Sequence, residues 1–309
     1  MSSSASQESS TLLAFSNDLA TAVERVGSAV VTVNARQRLA SSGVHWRSGV
    51  VVTADHTVRR DEEITVTLPD NRTVPATLVG RDSSTDLAVL KLQEVELSAA
   101  EIDDAGLLKV GHLVLAVGRS GEGVSASMGV ISALGGAPRR WCSGQIDQLL
   151  RLDLTLYPGF SGGPLVDASG RVIGINTYGP RRMVLAIPAS TVNRVVDQLL
   201  ELGRIARGYL GLGMQPVRLP DNLKSKLNLL TPGGVIVVNV EPNGPADRGG
   251  VLIGDVLVGL NGTPVSDTGD VQAGLGPESV GQTVSVSIIR GGALVEGAIV
   301  VGERPHREE

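Results

Sequence analysis

Aromatic rings are the scarcest feature of this sequence. Two Phe, three Tyr and two Trp make up 2% of 309 residues, so the core has to be assembled from Val, Leu, Ile and Ala. Branched aliphatics fit the pleated, half-buried surface of a sheet, and 39 glycines imply many tight turns. Cysteine is nearly absent as well. With Cys142 alone no disulfide can form within the chain, and its polar neighbours offer neither a partner histidine nor a metal-ligand spacing. No cofactor or metal is called for, and no phosphate-binding GxxxxGKS loop occurs. There is no run of about 18 apolar residues of the kind a membrane span needs. The opening MSSSASQESSTLL lacks the positive start and apolar stretch of a secretory signal. As written, the chain is expected to be soluble and cytoplasmic, with no membrane span. An excess of positive charge is missing too: 27 Lys and Arg face 32 Asp and Glu, a formal charge of −5. Nucleic acid is therefore not an expected partner, since it calls for a basic face.

What the chain does have is length for two domains of about 150 residues and a succession of short branched runs. Residues 1–27 read as a Ser-rich, disordered tail followed by an amphipathic helix, with Leu12, Phe15, Leu19, Val23 and Val26 at spacings of three and four. From Ser28 the runs SAVVTV, SGVVVT, EITVTL, LAVLKL, HLVLAVG, SMGVISAL, RVIGINT and MVLAIP alternate with turn residues. Many short strands without intervening helices indicate an antiparallel sandwich or barrel. Pro188 then opens a periodic segment in which Val192, Val195, Val196, Leu199 and Leu200 share a face, and Gly203 is placed to end it. These signals predict a first β domain over 28–204 and a smaller β-rich domain over 205–302. The second has helical candidates at PADRGG and TGDVQAGL, and a disordered tail follows over 303–309.

The sharpest chemical feature is GFSGGPL at 159–165. A serine hydroxyl needs a base to take its proton and N–H groups aimed at the oxyanion formed on attack. Flanking glycines let the backbone turn tightly enough to present both. In the nucleophile elbow of α/β-hydrolases the acid and then the histidine follow the serine, whereas here only His306, in a charged tail, follows Ser161. Upstream, VVVTADHTV sets His56 at the end of an apolar strand, and DSSTDLAVLKL sets Asp86 just before another. The order His, Asp, Ser is that of the chymotrypsin architecture. His45 and His112 have no comparable setting. Asp82 reads as a turn residue, and Asp55 is too close in sequence to reach around the His56 ring.

Together TADHTV, DSSTDLAVLKL, VGHLVLAVG, GVISALG and PGFSGGPLVDASGRVIGINT resemble the protease domain of the HtrA/Deg peptidases. AIPASTVNRVVDQLLELGRIARGYLGL resembles the family's link to a PDZ domain, and VVNVEPNGPADRGGVLIGDVLVGLNGTPV resembles the middle of one. The resemblance implies a mostly β fold, with a chymotrypsin-like double β-barrel followed by a smaller α+β PDZ domain. It implies an ATP-independent serine endopeptidase of protein quality control. The triad would be His56, Asp86 and Ser161, with the N–H groups of Gly159 and Ser161 as oxyanion hole. Ile175, Asn176 and Thr177 would pair with the substrate backbone, and Thr155, Thr177, Val184, Leu185 and Ala186 would line an uncharged S1 pocket taking small or medium apolar residues. Tyr209, Leu210, Gly211 and Leu212 would hold a peptide C-terminus. The partners implied are unfolded or damaged proteins, C-terminal peptides and, through an aromatic residue near the N-terminus for which Phe15 is the candidate, two further copies in a homotrimer.

The sequence departs from the family in three respects. Phe160 stands where asparagine is usual, the segment from Val33 to Ser48 has no long regulatory insertion, and the usual export signal is missing. Arg139, Arg140 and Trp141 lie where the family has a sensor loop. A peptide-binding scaffold or chaperone with a resting protease domain is the alternative that Phe160 leaves open.

Overall fold

The computed structural model describes residues 3–93, 95–103, 108–121, 123–135, 146, 148–229 and 231–304, with side chains from Thr11 onward. Cys142, His306 and the sensor-loop residues Arg139, Arg140 and Trp141 lie outside the described residues. Helix α1 (Ser3–Gly27) begins well before the apolar repeat that announced it. Extending a formed helix through Ser, Ala and Gln costs only about 0–0.7 kcal/mol per residue. Its C-terminal half is seated, with Ala22 and Val26 buried, whereas Leu12, Leu13 and Phe15 are exposed.

Two closed six-stranded antiparallel barrels follow. The first consists of β1 (Val30–Asn34), β2 (Ser41–Arg47), β3 (Val50–Ala54), β4 (Ile64–Thr67), β5 (Thr73–Asp82) and β6 (Leu87–Leu92). The second consists of β7 (Leu113–Gly118), β8 (Ser125–Gly135), β9 (Leu149–Asp153), β10 (Pro164–Asp167), β11 (Val172–Tyr178) and β12 (Val184–Pro188). The continuous apolar runs are explained by burial on both faces. Along β6, Ala88 and Leu90 fill the first barrel, while Leu87 and Val89 face the layer between the barrels. Along β7, Val114 and Ala116 fill the second barrel, while Leu115 and Val117 face that layer. The period of two along a strand thus sorts one run of residues into two cores. Helix α2 (Ala189–Leu202) closes the layer with Val192, Val195, Val196 and Leu199 and ends on Gly203, whose φ is +69°. Trp46 is buried there and donates its indole N–H to Asn193 Oδ1 at 2.8 Å.

This first unit ends at Ile205 and a second begins at Ala206. The second contains β13 (Gly208–Tyr209), β14 (Leu212–Arg218), β15 (Gly233–Val240), β16 (Val256–Leu260), β17 (Thr263–Pro264), β18 (Thr283–Arg290), β19 (Ala293–Val300) and β20 (Gly302–Glu303). Its main sheet runs in the order β14-β15-β16-β18-β19. Helices α3 (Asp221–Leu227), α4 (Pro245–Arg248) and α5 (Thr268–Ala273) complete it. The core is aliphatic, around Val235, Leu257, Val271, Val286 and Ile299.

Candidate active site

Asp86 is held in the left-handed region, φ +58°, a conformation that a short polar side chain tolerates better than most. Its placement is prepared by Asp82, which accepts from Ser84 N–H at 3.1 Å, Ser84 Oγ at 2.6 Å and Thr85 Oγ1 at 2.8 Å, fixing the turn between β5 and β6. Oδ1 of Asp86 accepts from the His56 backbone N–H at 2.8 Å, and its two oxygens lie 3.0 and 2.8 Å from His56 Nδ1. The Asp86 side chain is 13% exposed and that of His56 39%. A third donor, Thr177 Oγ1 at the end of β11, reaches Asp86 Oδ2 from the second barrel. The carboxylate therefore fixes the ring and leaves Nε2 directed away from it.

Ser161 stands in the loop before β10. Gly162 lies against Ser42, Thr53 and Ala54, so closely that a Cβ would collide with all three, which sets Ser161 beside the turn that carries His56. Gly162 N–H donates to Asn176 O at 2.9 Å, and Asn176 N–H to Gly163 O at 2.9 Å. Gly159, with φ +92°, has no space for a side chain because Ser120 occupies it. Among the described residues neither the Gly159 nor the Ser161 N–H finds an acceptor. Two free donors flanking a buried serine are what a developing oxyanion requires. No hydrogen bond joins Ser161 to His56 among the described residues, and such bonds commonly tighten only with substrate.

The remaining candidates divide. Ile175 is flanked by Pro164 and Ile187, and the backbone of Asn176 is bonded to Gly162 and Gly163. An incoming strand has no edge there, so the expectation of pairing at Ile175 and Asn176 is corrected: among the described residues the edge facing away from β12 is without a partner only from Thr177 onward. Leu185 is also corrected as a pocket residue. It points into the layer between the barrels, whereas Val184 and Ala186 share the opposite face with Leu156 and Phe160. Thr155 is exposed. His45 is buried, with Nδ1 3.1 Å from Ser98 O and Nε2 accepting from Gly49 N–H, and has no part in the site. Asp55 is buried beside Arg81, 3.5 Å away. Burial pushes its carboxyl above the ordinary range, while Ser83 and Arg81 oppose the rise. Ser42, which sequence reasoning passed over, proves to touch the serine loop at three points.

In the second unit, Tyr209 pairs with Gly302, and the chain turns at Gly211, φ +74°, into β14. The carbonyls of Leu210 and Gly211 accept from Ala246 and Glu241 N–H, while their own N–H groups have no acceptor among the described residues. β14 is bonded to β15 on one side and forms the edge of the sheet. Free N–H groups leading into an open edge suit a chain-terminal carboxylate and the strand behind it.

Residues 41–175 match the trypsin-like peptidase domain and residues 208–301 the PDZ domain. The solved structure of the HtrA-type protease AlgW with decapeptide is 30% identical, with a TM-score of 0.77 over 93% of this chain and 99% of that one. The chain belongs to the HtrA-type serine proteases. A serine endoprotease from Yersinia pestis has a TM-score of 0.75 at 30% identity, over 93% of this chain and 98% of that one. The probable periplasmic serine endoprotease DegP-like of Pseudomonas savastanoi pv. phaseolicola is 33% identical over 276 residues, 87% of this chain and 57% of that one. The chain thus spans little more than half the length of the curated relatives it matches.

Within this HtrA-type scaffold, the ring at Phe160 is 2% exposed and sits edge-on to Tyr157 with centroids 5.4 Å apart. Gly118 makes room for it, since a Cβ there would lie 2.6 Å from the ring. Phe160 is therefore a wedge that seats the serine loop on the core of the second barrel. Phe160→Ala is expected to lower the stability of this unit by about 3–5 kcal/mol, read from the midpoint of urea unfolding. A midpoint equal to wild type would show that the ring seats nothing.

Proposed function

We propose that the chain is an ATP-independent serine endopeptidase acting on unfolded or damaged proteins, with His56, Asp86 and Ser161 as its triad. The observation that carries this reading is the orientation of His56 by a carboxylate bonded to Nδ1, backbone N–H and Thr177 at once. Fixed in this way, the neutral ring carries its proton on Nδ1 and keeps a lone pair on Nε2. Ser161 Oγ attacks the peptide carbonyl carbon as its proton passes to Nε2. The oxygen, now negative, takes hydrogen bonds from Gly159 and Ser161 N–H. Collapse breaks the C–N bond, His56 hands the proton to the departing amine, and water then hydrolyses the acyl-enzyme by the same exchange.

The substrate strand adds to β11 from Thr177 onward, and the side chain at the cleaved bond enters a pocket bordered by Val184 and Thr155. These residues carry no charge, which favours small or medium apolar residues over Lys or Arg. In the second unit, the loop from Tyr209 to Leu212 takes the C-terminus of a peptide. Its occupancy tunes the protease, and the AlgW structure with decapeptide supports a peptide-binding role for this family.

The test is degradation of casein without ATP or metal by wild type and by Ser161→Ala. Degradation by wild type alone is the expected result. No cleavage by either, even with an apolar C-terminal peptide added, would favour a peptide-binding scaffold instead.

A further inference from the structure

Arg119 is 7% exposed, yet among the described residues it has no carboxylate partner. A buried charge is expensive unless something compensates it. Here the compensation is the end of helix α1. Arg119 Nη2 donates to the carbonyl of Gly27, the last residue of α1, at 3.3 Å, and Nε donates to Val30 O at 2.9 Å. The last carbonyls of a helix lack internal partners and carry partial negative charge, so a guanidinium is well matched to them. The backbone of the same residue is fixed at both ends. Its carbonyl accepts from Thr32 Oγ1 at 2.9 Å, and its N–H donates to Ser42 Oγ at 2.8 Å.

Ser42 passes this anchorage on. Its hydroxyl, accepting from Arg119, donates to Gly159 O at 2.7 Å. Its N–H donates to the same oxygen at 2.9 Å and to Ser161 O at 3.2 Å. The Gly159–Phe160 peptide lies between the two oxyanion donors, so its orientation sets where both point. Gly159 is also the residue whose backbone is freest to turn. A peptide of this kind needs an external clamp, and Ser42 supplies two hydrogen bonds to its carbonyl.

We propose that Ser42 and Arg119 are positioning residues of the oxyanion site, through which the seating of helix α1 on the barrels reaches Gly159. The inference rests on the proposed peptidase reading. It adds a dependence of turnover on a helix whose N-terminal half, with Leu12, Leu13 and Phe15 exposed, is available to a partner.

The test uses the full chain and a chromogenic peptide, with active sites titrated so that rates refer to folded enzyme. Ser42→Ala is expected to lower kcat at least tenfold with KM within about twofold, short of the 10²–10³ that follows loss of an oxyanion donor outright. Binding of a peptide aldehyde, whose adduct needs the same two N–H groups, should weaken in parallel with kcat. Val26, buried at the end of α1, is not among the residues hydrogen-bonded to the serine loop. Val26→Ala should lower kcat several-fold in the wild-type background and leave it unchanged when Arg119 is already Met. If Arg119→Met does not fold, Arg119→Lys, which keeps the charge and loses the two-pronged donation, serves as the second background. Unchanged kcat per active site in Ser42→Ala, or an equal effect of Val26→Ala in both backgrounds, would overturn the proposal. Failure of the peptidase reading would look different: wild type itself would cleave no peptide.

Discussion

Asp86→Asn is expected to lower kcat about 10⁴-fold, the loss that follows when the triad acid of a serine protease is made an amide. The reason lies in the count of donors around this carboxylate. His56 N–H, His56 Nδ1 and Thr177 Oγ1 all converge on its two oxygens, and an amide retains only one. If the amide oxygen stays with the backbone N–H, the NH₂ group faces Nδ1 and forces the lone pair there. The proton then sits on Nε2, the atom that should receive it from Ser161. In the proposed reading substrate is held by the edge of β11 and the apolar pocket rather than by Asp86, so KM should change little. The check is kcat and KM on a peptide substrate, with circular dichroism to show that the fold is retained. A folded Asn variant within tenfold of wild type would remove Asp86 from the triad.

A loss in stability rather than rate is expected from Asp255→Asn in the second unit. Asp255 is 2% exposed and takes both Nε and Nη2 of Arg290, at 2.8 and 2.7 Å, together with Leu252 N–H at 2.8 Å. Arg290 is itself partly exposed, so water takes over its charge in the variant. What is lost is the set of charge-assisted hydrogen bonds to a buried carboxylate, about 1.5–3 kcal/mol. The pH dependence has a definite sign. The hydrogen bonds from Arg290, and after them that from Leu252, hold the Asp255 carboxyl below its ordinary value. Its contribution is therefore complete above the unfolded value, near pH 3.9, and is lost as pH falls through the lower folded value. Urea unfolding of the second unit should show wild type losing this increment in acid. The Asn variant should lack it at every pH. Equal midpoints for the two proteins at pH 7 would refute the assignment.

Much of the site was legible because its chemistry is local in sequence. GFSGGPL announces a serine on a tight turn, and the strand ends at His56 and Asp86 announce rigid supports. The order of the three residues removed the elbow architecture. Short apolar runs such as VVV and LAVLKL indicated an antiparallel sandwich or barrel. The double barrel came only with the family resemblance, since a single run does not show that its residues face two cores alternately. What escaped was set by contacts remote in sequence. Nothing in SSGVHW marks Ser42 as the clamp on a glycine 117 positions later, and nothing in VGRSG reveals that Arg119 reaches back to the end of α1. The pocket assignment at Leu185 failed for a different reason: three adjacent strand residues cannot all face one way. Thr177 was read as a substrate contact, and its hydroxyl turns out to serve Asp86. Helix α3 escaped because DNLKSKL is too short and polar to show a period.

The two barrels close on themselves, whereas the sheet of the second unit stops at β14 and β19. Unpaired backbone at a strand edge is a template for intermolecular stacking, so the hazard of fibril-like aggregation in this chain is concentrated in its smaller part. On β19 the stretch ALVEGAIV is apolar apart from one residue, with Leu294 and Val300 exposed. Glu296, midway along it, acts as gatekeeper: one carboxylate repeated at every layer of a growing stack would make that stack repel itself.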